Sequence, residues 1–155
     1  MLIEATDAHF AALIAGRAPD GLTLAEGGVE APEVLAMLRG LSAEVGENFE
    51  PNAWLIVEGG EVVGLCSMVR LPYVGGAVMI GYGVAASRRR RGIAGRAVAD
   101  LLDWSRGDYR VSEVTAETSI HNAPSQRVLE ANGFARSGER EDEDDGPLFC
   151  WRASV

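Results

Sequence analysis

Arg88-Arg89-Arg90-Arg91-Gly92-Ile93-Ala94-Gly95 stands between an apolar, strand-like run over residues 77–84 and a helix-like run that opens at Gly92. A turn of small residues that leads into a helix lets backbone come close to a ligand. It also aims the unpaired N–H groups of the first helical turn at that ligand. The stretch therefore reads as a candidate anion cradle with four arginines beside it. Strand, turn and helix in that order are the unit of an α/β domain, and the flanking sequence continues the alternation.

Downstream, residues 92 to about 105 place Ile93, Ala97, Val98, Leu101 and Leu102 on one helical face. Residues 111–118 read as a strand and 122–132 as a helix stopped by Gly133. Residues 134–140 with 148–153 read as a closing hairpin. Upstream, residues 53–58 and 61–69 are two largely buried strands joined at Gly59-Gly60, followed by a break at Pro72 and Gly75-Gly76. Gly81 and Gly83, either side of Tyr82, mark a bulge or a close backbone approach. Residues 2–5 form a short strand, Thr6-Asp7 cap a helix to about residue 15, and 22–24 are a candidate strand. Pro32 opens a helix carrying Val34, Leu35, Leu38 and Leu41. The expected fold class is α/β (α+β by some schemes), a mixed, mostly antiparallel central sheet of six or seven strands with helices on both faces.

At 155 residues and 47% hydrophobic content, the chain fits one domain over residues 1–155 with an ordinary core. It has no run of eighteen apolar residues, and Met1-Leu2-Ile3-Glu4 lacks the order of a secretion signal. The expectation is a cytoplasmic protein with no membrane partner. Cys66 and Cys150 lie in apolar runs and read as buried thiols; no zinc spacing is present and no metal is expected. The formal charge is −9 and all 14 basic residues are arginine. Without lysine there is neither a Walker-type phosphate loop nor Schiff-base chemistry. The negative charge weighs against nucleic acid at Arg88 to Arg91 and favours cationic partners.

Three motifs now stand in order: Ile80-Gly81-Tyr82-Gly83-Val84, Arg89-x-x-Gly92-x-Ala94, and Asn122-x-x-Ser125-x-Arg127-Val128-Leu129-Glu130-x-x-Gly133-Phe134. Together they resemble the GNAT N-acetyltransferase superfamily, and within it the ribosomal-protein N-terminal acetyltransferases. The likeness is strong from residue 54 to 134 and rests on element order before that. It implies acetyl transfer from acetyl-CoA, as acyl-donor cosubstrate, to an amine-bearing substrate, either a protein N-terminus or a small molecule; a homodimer is also an option. By the same resemblance Arg89, Arg90, Arg91, Gly92, Ile93, Ala94 and Gly95 hold the pyrophosphate. The strand carrying Tyr82 and Val84 parts from its neighbour to hold pantetheine and to polarise the thioester, and Asn122, Ser125 and Arg127 complete the cofactor set.

The catalytic candidates are Ser125, Glu117 and Tyr82. The resemblance puts a hydroxyl near Ser125 in a position to protonate the departing thiolate, with Tyr82 as a competitor that also reads as a packing residue. Read from the residues alone, Asn122 caps the helix that starts at Ala123-Pro124, and Ser125 satisfies a backbone group in its first turn. Many relatives have a glutamate just before Ile-Gly-Tyr, where this chain has Met79. Glu117 is the replacement base to test, against the plain reading of an exposed strand glutamate, and His121 stands near it. An α-amino acceptor, with a pKa of about 7.7 to 8.0 against about 10.4 for an alkyl amine, needs a base least. The acidic run from Glu139 to Asp145 reads as a solvated hairpin turn or as an attractor of cationic substrates. A non-catalytic acyl-CoA binding or sensing domain is the alternative that Met79 motivates.

Overall fold

The computed structural model describes residues 1–70 and 75–155; Pro72 lies outside the described residues. Strands β1 (Leu2–Glu4), β2 (Thr23–Leu24), β3 (Ala53–Glu58), β4 (Glu61–Met68), β5 (Ala77–Val84), β6 (Glu113–Ser119), β7 (Ala135–Asp142) and β8 (Gly146–Ser154) make one sheet. Its order is β1-β3-β4-β5-β6-β8-β7, with β2 alongside β4. Helices α1 (Asp7–Ile14), α2 (Pro32–Gly46), α3 (Ile93–Gly107) and α4 (Ala123–Ala131) lie between the strands. Eight strands replace the expected six or seven because the two-residue β2 pairs parallel with Glu61 and Val62. The β5–β6 pair is also parallel, and α3 is its crossover. The other pairs are antiparallel.

Local chemistry explains the joints. Gly59 and Gly60, at φ 56° and 79°, close the β3–β4 hairpin in the doubly left-handed turn that only such residues adopt cheaply. Thr6 accepts from the His9 amide at 3.2 Å while His9 Nδ1 accepts from the Thr6 amide at 3.1 Å, a reciprocal cap that starts α1. Asp142 accepts from the amides of Asp144 and Asp145 and so closes the acidic turn between β7 and β8.

Strand β4 is buried at every position from Val62 to Met68, so both faces of the sheet are covered. On one face Cys66 pairs with Trp54, whose ring meets Trp104 of α3 edge-on at 5.1 Å. On the other, Leu65 and Ser67 share a groove with Val34 and Leu38 of α2. Each fully buried Leu, Ile or Val on these strands contributes about 1.5–3 kcal/mol. The expected bulge at Gly81 and Gly83 is not found. Pairing with β4 runs without a shift from Gly64↔Val84 to Met68↔Ile80, and the close approach is at Gly64, where a Cβ would land on the Gly83 carbonyl oxygen.

Candidate functional site

The turn into α3 has a left-handed glycine and free first-turn amides, and its arginines differ in what they bond. Gly92 is the N-cap of α3 in the left-handed region at φ 73°, and Arg90 takes φ 63°, uncommon for a residue with a side chain. The amides of Ile93, Ala94 and Gly95 occupy the first turn, where no carbonyl precedes them. Arg96, one turn on, returns its Nη1 to the Arg91 carbonyl at 3.0 Å and fixes the loop. Of the four arginines, Arg88 is turned inward onto Glu61 (2.7 and 3.1 Å), and Arg89 donates to the Val84 carbonyl at 3.3 Å. Arg88 alone of the four has its charge paired; Arg89, Arg90 and Arg91 are exposed, and the guanidinium groups of Arg90 and Arg91 make no hydrogen bond or ion pair among the described residues. Free first-turn amides beside two open guanidinium groups have the chemistry to accept a phosphate-bearing ligand.

From that cradle β5 runs back into the sheet. It pairs with β6 only from Ala77↔Glu113 to Ile80↔Ala116, while β4 keeps its pairing as far as Val84. Beyond Ile80, then, Gly81 to Val84 are bonded on one side only, and a wedge opens toward Glu117, Thr118 and Ser119, which pair with β8 alone. Tyr82 points to the α3–α4 side and donates its hydroxyl to the Ser125 carbonyl at 3.4 Å. Burial raises its pKa, so the phenol stays protonated near neutral pH. Asn122 is the N-cap of α4: its Oδ1 accepts from the Ser125 amide at 3.2 Å. The Ser125 hydroxyl has no hydrogen bond among the described residues, and Arg127 lies exposed one residue beyond Gln126. Asn132 ties the two helices by donating to the Gly95 carbonyl at 3.3 Å and the Val128 carbonyl at 2.9 Å.

Glu117 lies on the opposite face, which by strand alternation is that of Thr115 and its partner Met79. It is not the open carboxylate a base requires. Arg140 grips it through Nε and, at 2.9 Å, through Nη2, and Arg70 adds a contact at 3.8 Å. The Arg140 bond, followed by its charge and that of Arg70, outweighs desolvation and lowers the Glu117 pKa. A general base works best with its pKa near the operating pH, so Glu117 is a poor one. His121 is exposed at the mouth of α4, and its amide donates to Ser119 Oγ at 3.2 Å.

The depressed Glu117 pKa fixes the sign of its pH effect. Its share of stability is complete above the ordinary glutamate value of 4.5 and is lost as pH falls below it. Glu117→Gln is therefore expected to lose less of its melting temperature than the native chain between about pH 5 and pH 3. Equal losses, read by circular dichroism, would contradict the pairing.

Sequence reading missed the groove on this face, which is lined by Val29, Glu30, Val34, Leu38, Leu65, Ser67 and the Gly81 to Gly83 backbone, with a volume of about 160 Å³. The signal was present as a lone serine inside the apolar run Val62 to Met68. Among the described residues no group of three or more His, Cys, Asp or Glu is placed to hold a metal ion, and no helix is long and apolar enough to cross a membrane.

Known proteins resemble this chain in sequence and in fold. The chain is 33% identical over 85 residues to Bacillus subtilis YjdG, an uncharacterized N-acetyltransferase, covering 54% of this chain and 51% of that protein. It is 26% identical over 113 residues to Bacillus licheniformis p20, also an uncharacterized N-acetyltransferase, covering 73% of this chain and 62% of the relative. The chain thus spans about half to three fifths of the curated relatives it matches. Mycobacterium smegmatis RimJ, solved with CoA-disulfide, has the same fold at a TM-score of 0.73 and 23% identity, covering 99% of this chain and 81% of that one. The family model described as the acetyltransferase (GNAT) domain matches residues 2–135, every element from β1 to the first residue of β7, and the chain belongs to that family.

Proposed function

We propose that residues 1–155 are one N-acetyltransferase domain that moves the acetyl group of acetyl-CoA directly onto a primary amine. The observation that carries this reading is the parting of β5 from β6 at the end of the strand that leads to the α3 cradle. Bound acetyl-CoA would supply an activated thioester carbonyl. The α3 amides with Arg90 and Arg91 bind the pyrophosphate, and the one-sided edge of Gly81 to Val84 orients the pantetheine. An unpaired N–H on that edge stabilises negative charge on the carbonyl oxygen as the amine adds. In that transfer the N–C bond would form as the C–S bond breaks, the amine would release a proton to water, and the Ser125 hydroxyl would pass its proton to the leaving sulfur and take one back from water. Tyr82 holds the Ser125 backbone in place, and Asn122 starts the helix that presents it.

Met79 in β5 carries no base, and Glu117 is bound to Arg140, so neither of these two positions supplies an open carboxylate. That favours an α-amino group, whose pKa of about 7.7 to 8.0 leaves a useful neutral fraction near neutral pH. Calorimetric titration with acetyl-CoA, followed by CoA release over peptide N-termini and small amines, tests the reading. Binding with release supports it; a folded chain that binds neither acetyl-CoA nor CoA overturns it. The same two residues favour a second reading, an acyl-CoA binding or sensing domain, which predicts tight binding and no release with any amine.

No cysteine carries the acetyl group. Burial pushes the Cys66 thiol up to about 12, and burial followed by the Glu117 charge raises that of Cys150. Neither offers a thiolate near neutral pH. The Cys66→Ala, Cys150→Ala double variant is expected to keep kcat within about threefold at a lower melting temperature, because Cys66 is core. Loss of turnover in a folded variant would refute direct transfer.

A further inference from the structure

Ser67 lies on β4 opposite Gly81, lines the α2 groove and is 4% exposed, yet its hydroxyl has no hydrogen-bond partner among the described residues. A buried hydroxyl without a partner costs free energy, and apart from Gly64 every other residue from Val62 to Met68 is apolar. Val29, Val34, Leu38 and Leu65 give the groove apolar walls. Glu30 stands over Gly83, with its Oε2 3.8 Å from where a Cβ would sit. The groove thus offers one carboxylate, one hydroxyl and hydrocarbon, within about 160 Å³. An apolar cavity of about 150 Å³ takes up a group the size of benzene. A long polycation would have to leave its further ammonium groups against Val34 and Leu38, where nothing pairs with them.

We propose that Ser67 is a specificity-determining residue for the acceptor. Its hydroxyl bonds a polar group one carbon from the reacting nitrogen, Glu30 draws in the ammonium, and the apolar walls hold one small side chain. The acceptor class is a small α-amino carboxamide or the peptide N-terminus that shares its chemistry. This rests on the N-acetyltransferase reading above.

The test compares alaninamide with sec-butylamine, which lacks the carboxamide, in the native chain and in Ser67→Ala. The difference in amine pKa is common to both proteins, so the change in preference reads Ser67 alone. In Ser67→Ala, kcat/KM for alaninamide is expected to fall about tenfold, through KM, while that for sec-butylamine stays within about twofold. Acetyl-CoA affinity is expected to be unchanged, and the melting temperature to hold or rise, since the lost hydroxyl had no partner. Equal change for both amines, no change for either, or a lower melting temperature overturns the proposal. So does acetyl-CoA binding by a native chain that turns over no alaninamide. A native chain that binds no acetyl-CoA fails the parent reading instead, and the two failures are distinct.

Discussion

Acetyl-CoA affinity is expected to fall at least about a hundredfold in Gly95→Glu while the fold holds, because two or more charge-assisted hydrogen bonds of about 1.5 kcal/mol or more are lost. Gly95 is the third residue of α3, where a Cβ meets nothing within 4 Å. Glycine within a helix is about 0.5–1 kcal/mol less favourable than alanine, and a carboxylate in the first turn suits the helix dipole. The substitution should therefore raise or maintain the melting temperature of the free protein. The features that favour the free helix oppose the ligand: the carboxylate competes for the cradle amides and repels pyrophosphate. Gly92 is a less clean position, since at φ 73° any side chain is strained and its Cβ would lie 3.0 Å from Arg96 Nη1. Affinity within about threefold of native in a folded Gly95→Glu chain, by calorimetry, would remove the cradle from the cofactor reading.

What was legible in the sequence is what local chemistry decides. Positive-φ glycine at Gly92, the Asn122 cap and the Gly59-Gly60 hairpin follow from residues a few positions apart. The wedge between β5 and β6 depends on where each strand leaves its partner, and Gly81 and Gly83 alone suggested a bulge that the unbroken β4 register rules out. Glu117 read as a free carboxylate because its partner is 23 residues away and reaches it only through the pairing of β6, β8 and β7. In the same way, Arg88 is lost to the cradle through Glu61, 27 residues earlier. The groove escaped notice because Glu30, Ser67 and Gly83 come from three distant segments that only the sheet and α2 bring together.

Gly64→Ala is expected to be strongly destabilising. A Cβ at Gly64 would sit on the Gly83 carbonyl oxygen, 3.0 Å from Ile56 Cδ1 and 3.2 Å from Val84 Cα. Side chains turn away from an intruder, but a ladder carbonyl moves only with its strand, so β4 and β5 must separate. Forced insertion into a packed interior costs about 3 kcal/mol, against the 0.4–1 kcal/mol that Gly→Ala gains where the backbone tolerates it. Gly40→Ala, in α2 where a Cβ meets nothing within 4 Å, is the control of opposite sign. Beyond Ile80 the strand has already left β6, so among the described strands β4 alone pairs with Gly81 to Val84. Damage at Gly64 therefore reaches the edge that would orient the pantetheine. Gly64→Ala should lose both urea resistance and acetyl-CoA affinity, whereas Gly95→Glu should lose affinity alone. A Gly64→Ala chain with native unfolding midpoint and native affinity would mean that the β4–β5 contact does not hold the cleft in shape.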